Sequence, residues 1–272
     1  MNFIVTLKNR ADDNREMNLL QKFLLELQEI TLLITSAFVG LFKSPHYIKE
    51  TIKQMDLIGV GSLPIVILTG FFTGGVLILQ TFPLLVFYGA QSESGRAVAT
   101  SLIRELGPVL TALMVSGRIG SAISAELGSM VVSQQIDAMR SLGTDPYRKL
   151  VAPRIVALIF MLPFLTVAAD VFGLIGGGIV ASTLYNQDYD VFLASVRNGI
   201  TVEDIIGGVI KPLVFGLIIG SVSCYKGLST TGGTAGVGRS TTSAVVLSSI
   251  VVIIFDFFLS RALQSILDVK PI

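Results

Sequence analysis

Five apolar stretches, each about as long as a helix needs to cross a hydrocarbon layer, dominate this 272-residue chain: roughly Leu63–Phe82, Glu105–Leu127, Leu150–Tyr185, Ile205–Tyr225 and Val237–Leu263. A bilayer core of about 30 Å takes roughly 20 residues at helical rise, and inside it every backbone amide must find its partner within its own segment. The chain is therefore read as all-α and polytopic, with five transmembrane helices. The third stretch is long enough to tilt or to extend beyond the membrane. Composition agrees, with 51% hydrophobic residues, 14% charged residues and a mean hydropathy of +0.74.

Ahead of the first stretch, Leu20, Leu24, Leu27, Ile34, Phe38 and Leu41 recur at helical spacing, while Gln21, Lys22, Glu26 and Glu29 take the other side of the first turns. This pattern predicts a helix lying in the membrane interface. Its fully apolar part, 30–42, has about two-thirds of the length a span needs, and a sixth crossing stands as the alternative. We divide the chain into an N-terminal segment, 1–48, and a membrane domain, 49–272. The first residues lack an apolar core followed by a small-residue cleavage site, so no cleaved signal peptide is expected.

The net charge of +1 gives no global attraction to nucleic acid or to an acidic substrate. Cys224 and His46 are the sole cysteine and histidine, which excludes an intrachain disulfide and a cysteine or histidine metal cluster. We expect no metal and no cofactor. Basic residues fix the expected orientation. Lys8, Arg10, Arg15, Lys22, Lys43, Lys49 and Lys53 precede the first span, Arg140, Arg148, Lys149 and Arg154 lie between the second and third, and Lys226 and Arg239 lie between the fourth and fifth. The alternate loops, 90–101 and 186–204, hold only Arg96 and Arg197. The N-terminus is thus expected in the cytoplasm and the C-terminus outside.

Between the second and third spans a short amphipathic helix is predicted over 131–142, with Val132, Ile136 and Met139 on one stripe and Gln134, Asp137 and Ser141 on another. Gly143 suits the left-handed residue that ends a helix, and Asp145-Pro146 suits an N-cap followed by a first helical position. Two uses fit: a connection resting on the headgroups, or a docking helix for a cytoplasmic protein.

Ordered motifs carry a family resemblance. The run Leu102-Ile103-Arg104-Glu105-Leu106-Gly107-Pro108-Val109, continuing through Ser116-Gly117-Arg118-Ile119-Gly120-Ser121-Ala122 and Ala125-Glu126-Leu127-Gly128, resembles MlaE/YrbE-type permeases of ABC lipid transporters. Gln135-Ile136-Asp137-Ala138-Met139 with Gly143, Pro146, Leu150 and Pro153-Arg154 agrees, as do Ile58–Ile65 and Gly236–Thr242. The resemblance runs from about Glu50 to the C-terminus and makes 49–272 an MlaE-type permease domain. It implies a homodimer in the bacterial inner membrane, lying beneath an MCE-domain substrate-binding protein. It also implies a cytoplasmic ABC ATPase that drives the permease, often with a STAS-domain subunit. It further implies that the short helix meets the ATPase, through Gln134, Gln135, Ile136, Asp137, Met139, Arg140 and Gly143. The family commonly has a glutamate where this chain has Gln134.

An external energy source also follows from the residues, because the chain has no G-x-x-x-x-G-K-[ST] phosphate loop. The glycine-rich stretch 232–238 follows a span rather than a strand and is read as a turn. No catalytic residue is expected. Ionisable residues in spans are costly and mark candidate sites. By depth, Arg104, Glu105, Lys211, Asp170 and Asp256 fall in the outer half, and Arg118 and Glu126 in the inner half. Arg104, Glu105 and Lys211 are candidates for a polar rim around a phospholipid headgroup, with Leu77, Leu84 and Tyr88 as candidates for the acyl-chain cavity; the plainer reading of the charges is a set of ion pairs that hold helices together. Arg118, Ala122 and Glu126, at four-residue steps, predict one face buried in protein. Gly70/Gly74, Gly173/Gly177 and Gly216/Gly220 have the spacing of close helix contacts, within or between subunits.

The function expected is transport of phospholipid, or a related hydrophobic molecule, between the membrane and an MCE-domain partner. An ion-coupled secondary transporter and a non-transporting membrane scaffold are the alternatives.

Overall fold

The computed structural model describes residues 19–41 and 47–266, all of it helix and connection. Eight helices follow in order: α1 (Leu19–Leu41), α2 (Ile48–Phe87), α3 (Gln91–Val132), α4 (Gln135–Ser141), α5 (Tyr147–Tyr185), α6 (Tyr189–Gly199), α7 (Val202–Leu228) and α8 (Gly233–Ile266). Among the described residues, α2, α3, α5, α7 and α8 are long and apolar enough to cross a membrane. Lys8, Arg10, Arg15, Lys43 and His46 lie outside the described residues, as do the side chains of Leu20, Gln21, Lys22, Leu24, Phe38 and Leu41.

Glycine sets the arrangement of the spans. Gly70 and Gly74 of α2 lie directly against the backbone of α5, where a Cβ on Gly74 would overlap the Gly173 carbonyl and one on Gly70 the Ala169 carbonyl. Gly176 of α5 returns the contact against the Phe71 carbonyl. On the other side of α5, Gly216 and Gly220 of α7 close on Leu158 and Ile155. All three glycine pairs therefore have packing roles within the chain, with α5 central between α2 and α7. Leu158, Leu162, Leu165, Phe215, Ile219 and the fully buried Cys224 fill the core around it. Leu68, Phe72, Phe164, Phe257 and Phe258 point outward, the inversion expected of a surface meant for lipid.

The helices outrun the apolar stretches. α2 starts at Ile48 because Lys49, Glu50, Lys53 and Asp56 continue the same helix as a polar lead-in. The segment 90–101, expected as a loop, is the first part of α3, and α6 lies within 186–204, another expected loop. The two pack together through Gly95, which sits against the Phe192 carbonyl. α6 has only 11 residues, and Asp190, Ser195, Arg197 and Asn198 interrupt its apolar positions, so hydropathy alone does not reveal it.

α1 is bound to the end of α7. The Tyr225 hydroxyl donates to buried Glu29 at 2.7 Å and Lys226 donates to Glu26 at 2.9 Å, while Leu33 and Ala37 join the core.

The face Arg118, Ala122 and Glu126 does not follow expectation: within this chain it is exposed. The packed stripe of α3 is Ser116, Gly120, Ser124 and Gly128, small residues that let α7 and α8 approach closely. A Cβ on Gly120 would stand 2.9 Å from Ser223 Oγ, and one on Gly128 2.7 Å from Thr230 Oγ1. The Ser116 and Ser248 hydroxyls share a hydrogen bond of 2.6 Å.

Candidate functional site

Span α3 is interrupted by two π-helical turns, Leu102–Leu106 and Ser116–Gly120. Such wide turns disturb the regular ladder and recur at functional positions. Each contains an arginine, Arg104 in the first and Arg118 in the second.

Around the first turn the structure brings together most of the charges expected in the outer half. Lys211 of α7 is only 2% exposed, and its ammonium donates to the Arg104 carbonyl at 2.6 Å and Glu105 Oε2 at 2.7 Å, with Asp256 Oδ1 of α8 at 3.2 Å. The ammonium thus makes two hydrogen bonds and a further ion pair with Asp256. Ser260 donates to the same Glu105 oxygen at 3.1 Å. Arg104 turns away from Lys211 and pairs with Asp204, whose other oxygen accepts from the Thr201 amide at 2.9 Å in a capping box that starts α7. Adjacent residues on α3 thus serve different partners, as their angular separation on a helix requires. Two cations and three carboxylates tie α3, α7 and α8 together. Within the cluster Lys211 is closed off, whereas the Glu105 side chain is 45% exposed and Arg104 is partly exposed.

The other expected lipid-site residues lie apart. Leu77 packs against the buried cluster of Ile78, Phe82, Val98 and Leu102. Leu84 and Tyr88 are exposed at the end of α2, with Tyr88 71% exposed. Asp170 is also separate from the cluster. Its carboxylate presses on the bare Cα of Gly107, where any side chain would collide with it, beside a small cavity bordered by Thr69, Thr73 and Thr111. Asp170 Oδ1 has no hydrogen-bond partner among the described residues.

At the other end of α3 the chain breaks at Gln134, which adopts a left-handed conformation with φ 59°. The single helix expected over 131–142 is therefore two pieces, with α4 starting anew at Gln135. α4 ends in a Schellman motif. Gly143, at φ 74°, donates to the Arg140 carbonyl at 2.9 Å, and the Thr144 amide donates to the Met139 carbonyl at 2.9 Å. The next helix begins at once, with Asp145 Oδ1 accepting from the Tyr147 amide at 2.9 Å and Pro146 in first place. Ile136 is buried and Met139 packs on the core, fixing one side of α4. Gln134, Gln135, Asp137 and Gly143 are exposed on the other, and Arg140 reaches Asp137 at 3.6 Å. Leu142 stands 82% exposed at the tip, a residue the hydropathy pattern gave no reason to single out. Asp204 and Ser260 were equally missed; Thr201-x-x-Asp204 ahead of an apolar run is the capping signal that could have placed Asp204 on α7.

A bundle of five long apolar helices with a compact, anchored helix between the second and third is the fold of a polytopic membrane protein. The chain belongs to the MlaE permease family: the model of that family, Permease MlaE, matches residues 51–262. It is 41% identical over 227 residues to a probable ABC transporter permease protein of Rickettsia typhi, covering 84% of this chain and 88% of that protein. It is 34% identical over 229 residues to the intermembrane phospholipid transport system permease protein MlaE of Haemophilus influenzae, again covering 84% and 88%. The chloroplastic protein TRIGALACTOSYLDIACYLGLYCEROL 1 of Arabidopsis thaliana is 38% identical over 220 residues, 81% of this chain and 63% of that protein. The chain is accordingly a multi-pass membrane protein, the non-catalytic subunit of an ABC transporter with an ATPase as its partner.

Proposed function

We propose that this permease moves phospholipid between a bacterial inner membrane and an MCE-domain protein, using ATP hydrolysed by an ATPase docked on α4. One observation carries the reading: a single helix, α3, holds the partly exposed Arg104–Glu105 pair at one end and runs into α4 at the other. The distribution of basic residues supports α4 and the N-terminus facing the cytoplasm. Residues 1–48 are then an N-terminal interfacial segment and 49–272 the permease domain, working as a homodimer with a STAS-domain subunit beside the ATPase.

The ATPase meets Gln134, Gln135, Asp137, Arg140 and Leu142, while Ile136 and Met139 transmit its movement to the core and Gly143 holds the corner. An exposed i,i+3 ion pair such as Asp137–Arg140 contributes about 0.5 kcal/mol at most, so both charges are free to re-pair with a partner. With Gln134 in place of a glutamate, Asp137 is the carboxylate of this surface. On the lipid side Arg104 and Glu105 meet the headgroup, Lys211 holds them in position, and Leu77, Leu84 and Tyr88 border the path of the chains.

Reconstitution tests the proposal. Vesicles holding the chain with its ATPase should transfer radiolabelled phospholipid to an MCE-domain acceptor only when ATP is supplied. Transfer that ignores ATP and follows a pH gradient would overturn it in favour of an ion-coupled transporter, the reading that the unpartnered Asp170 oxygen favours. Absence of transfer under every condition would leave a scaffold.

A further inference from the structure

Arg118 occupies the second π-turn of α3, and it differs from Arg104 in one respect that matters in a membrane: its charge is not balanced. Among the described residues its guanidinium makes one hydrogen bond, from Nη1 to Ser62 Oγ at 2.7 Å, and no ion pair. Yet it lies on an exposed face of a span. Gly61 leaves the room it occupies, since a Cβ there would come within 2.8 Å of Nη2.

Depth narrows the chemistry of what meets it. Asp56 is the last charged residue of α2 before an uninterrupted uncharged run to Phe87. Gly61 lies five residues beyond it, about 7.5 Å along the axis. A guanidinium at that depth sits just inside the hydrocarbon boundary, within reach of the phosphate layer. Fourteen residues, about 21 Å of helix, separate it from Arg104 at the far end of the same span.

We infer that Arg118, Ser62 and the open backbone at Gly61 form a second phosphate site on α3, one that takes the headgroup phosphate of a phospholipid in the leaflet on the α4 side. This rests on the lipid-transport reading above and adds the end of the path opposite Arg104. A second copy of the chain suits the position less well. In a two-fold contact the same face meets itself, and the acid this face offers, Glu126, is held by buried Arg154 at 2.7 Å. Two copies would therefore bring like charges together. A phosphate supplies the missing charge, and a guanidinium fork with a neighbouring hydroxyl is the donor set that phosphate oxygens accept.

Photocrosslinking tests the site in the full chain purified with its ATPase, in vesicles containing radiolabelled phosphatidylglycerol. A benzoylphenylalanine at Leu57, exposed and one turn from Gly61 on the same face, should capture labelled lipid. Arg118→Gln should lower the yield about tenfold and Arg118→Lys less, since a lysine keeps the charge but loses the fork. Gly61→Leu retains the arginine but displaces its guanidinium, and should lower the yield several-fold; it decides the matter if Arg118→Gln fails to co-purify with the ATPase. Yields unchanged in both variants overturn the site. Crosslinking of chain to chain in place of lipid overturns it in favour of a second copy, and suppression by millimolar inorganic phosphate overturns it in favour of a free-anion site. Lipid capture that needs Arg118 in a preparation without ATP-driven transfer would leave the site standing and remove the transport reading; transfer with capture indifferent to Arg118 would do the reverse.

Discussion

Lys211 shows how a charge becomes tolerable inside a membrane. Its ammonium is hydrogen-bonded to a carbonyl and a carboxylate and ion-paired with a second carboxylate, so removing it strands negative groups rather than freeing space. Lys211→Met should cost about 3–5 kcal/mol, the usual penalty for breaking one side of a buried charge cluster. Thermal denaturation in detergent should show a lower midpoint, and an unchanged midpoint would mean that the cluster contributes little. Gly74 makes a similar point through space rather than charge. Gly74→Ala forces a methyl into the Gly173 carbonyl and should destabilise by about 1–3 kcal/mol. Gly117→Ala serves as the control, because its Cβ would meet nothing within 4 Å, and it should change stability by less than about 1 kcal/mol. The glycine spacing was visible in the sequence; which helix each glycine meets was not, since spacing names a face and never a partner.

At the scale of the element, α4 is determined almost wholly by its ends. Gln134 breaks it from α3, Gly143 closes it, and Asp145 caps the start of α5. The Gly143 and Asp145-Pro146 signals could be read directly because each answers a local backbone requirement. The break at Gln134 could not, since a glutamine at positive φ goes against its own backbone preference and so leaves no local signal. The two π-turns left no mark in composition either. Asp137→Lys should abolish co-purification of the ATPase while leaving the elution profile of the chain intact, and retention of the ATPase would remove α4 from the docking surface. Gly143→Val places a β-branched side chain at φ 74° and should cost about 1–3 kcal/mol locally. Its expected signature is weakened ATPase binding with the five spans still folded, read by the same pull-down.

For the whole molecule, hydropathy located all five spans, because a membrane imposes length and apolarity on every segment that crosses it. It could not rank the charges by role. Depth placed Arg104, Glu105, Lys211, Asp170 and Asp256 at one level, but only the fold shows that Lys211 is enclosed while Glu105 remains accessible and that Asp170 stands apart from the other four. The same limit explains why the face of Arg118 was expected inside and lies outside: a four-residue step fixes a stripe, and the stripe of serine and glycine beside it was the better fit to a neighbouring helix. Cys224 gives the folded chain a practical property. Its thiol is fully buried among the core residues of α7, so a maleimide should leave the native protein unlabelled and react only after denaturation. The natural sequence then already serves as a silent background for thiol chemistry. Single cysteines introduced at the exposed Gln135 or Asn198, probed with a reagent that cannot cross the bilayer, would report which side of the membrane each end of the bundle faces.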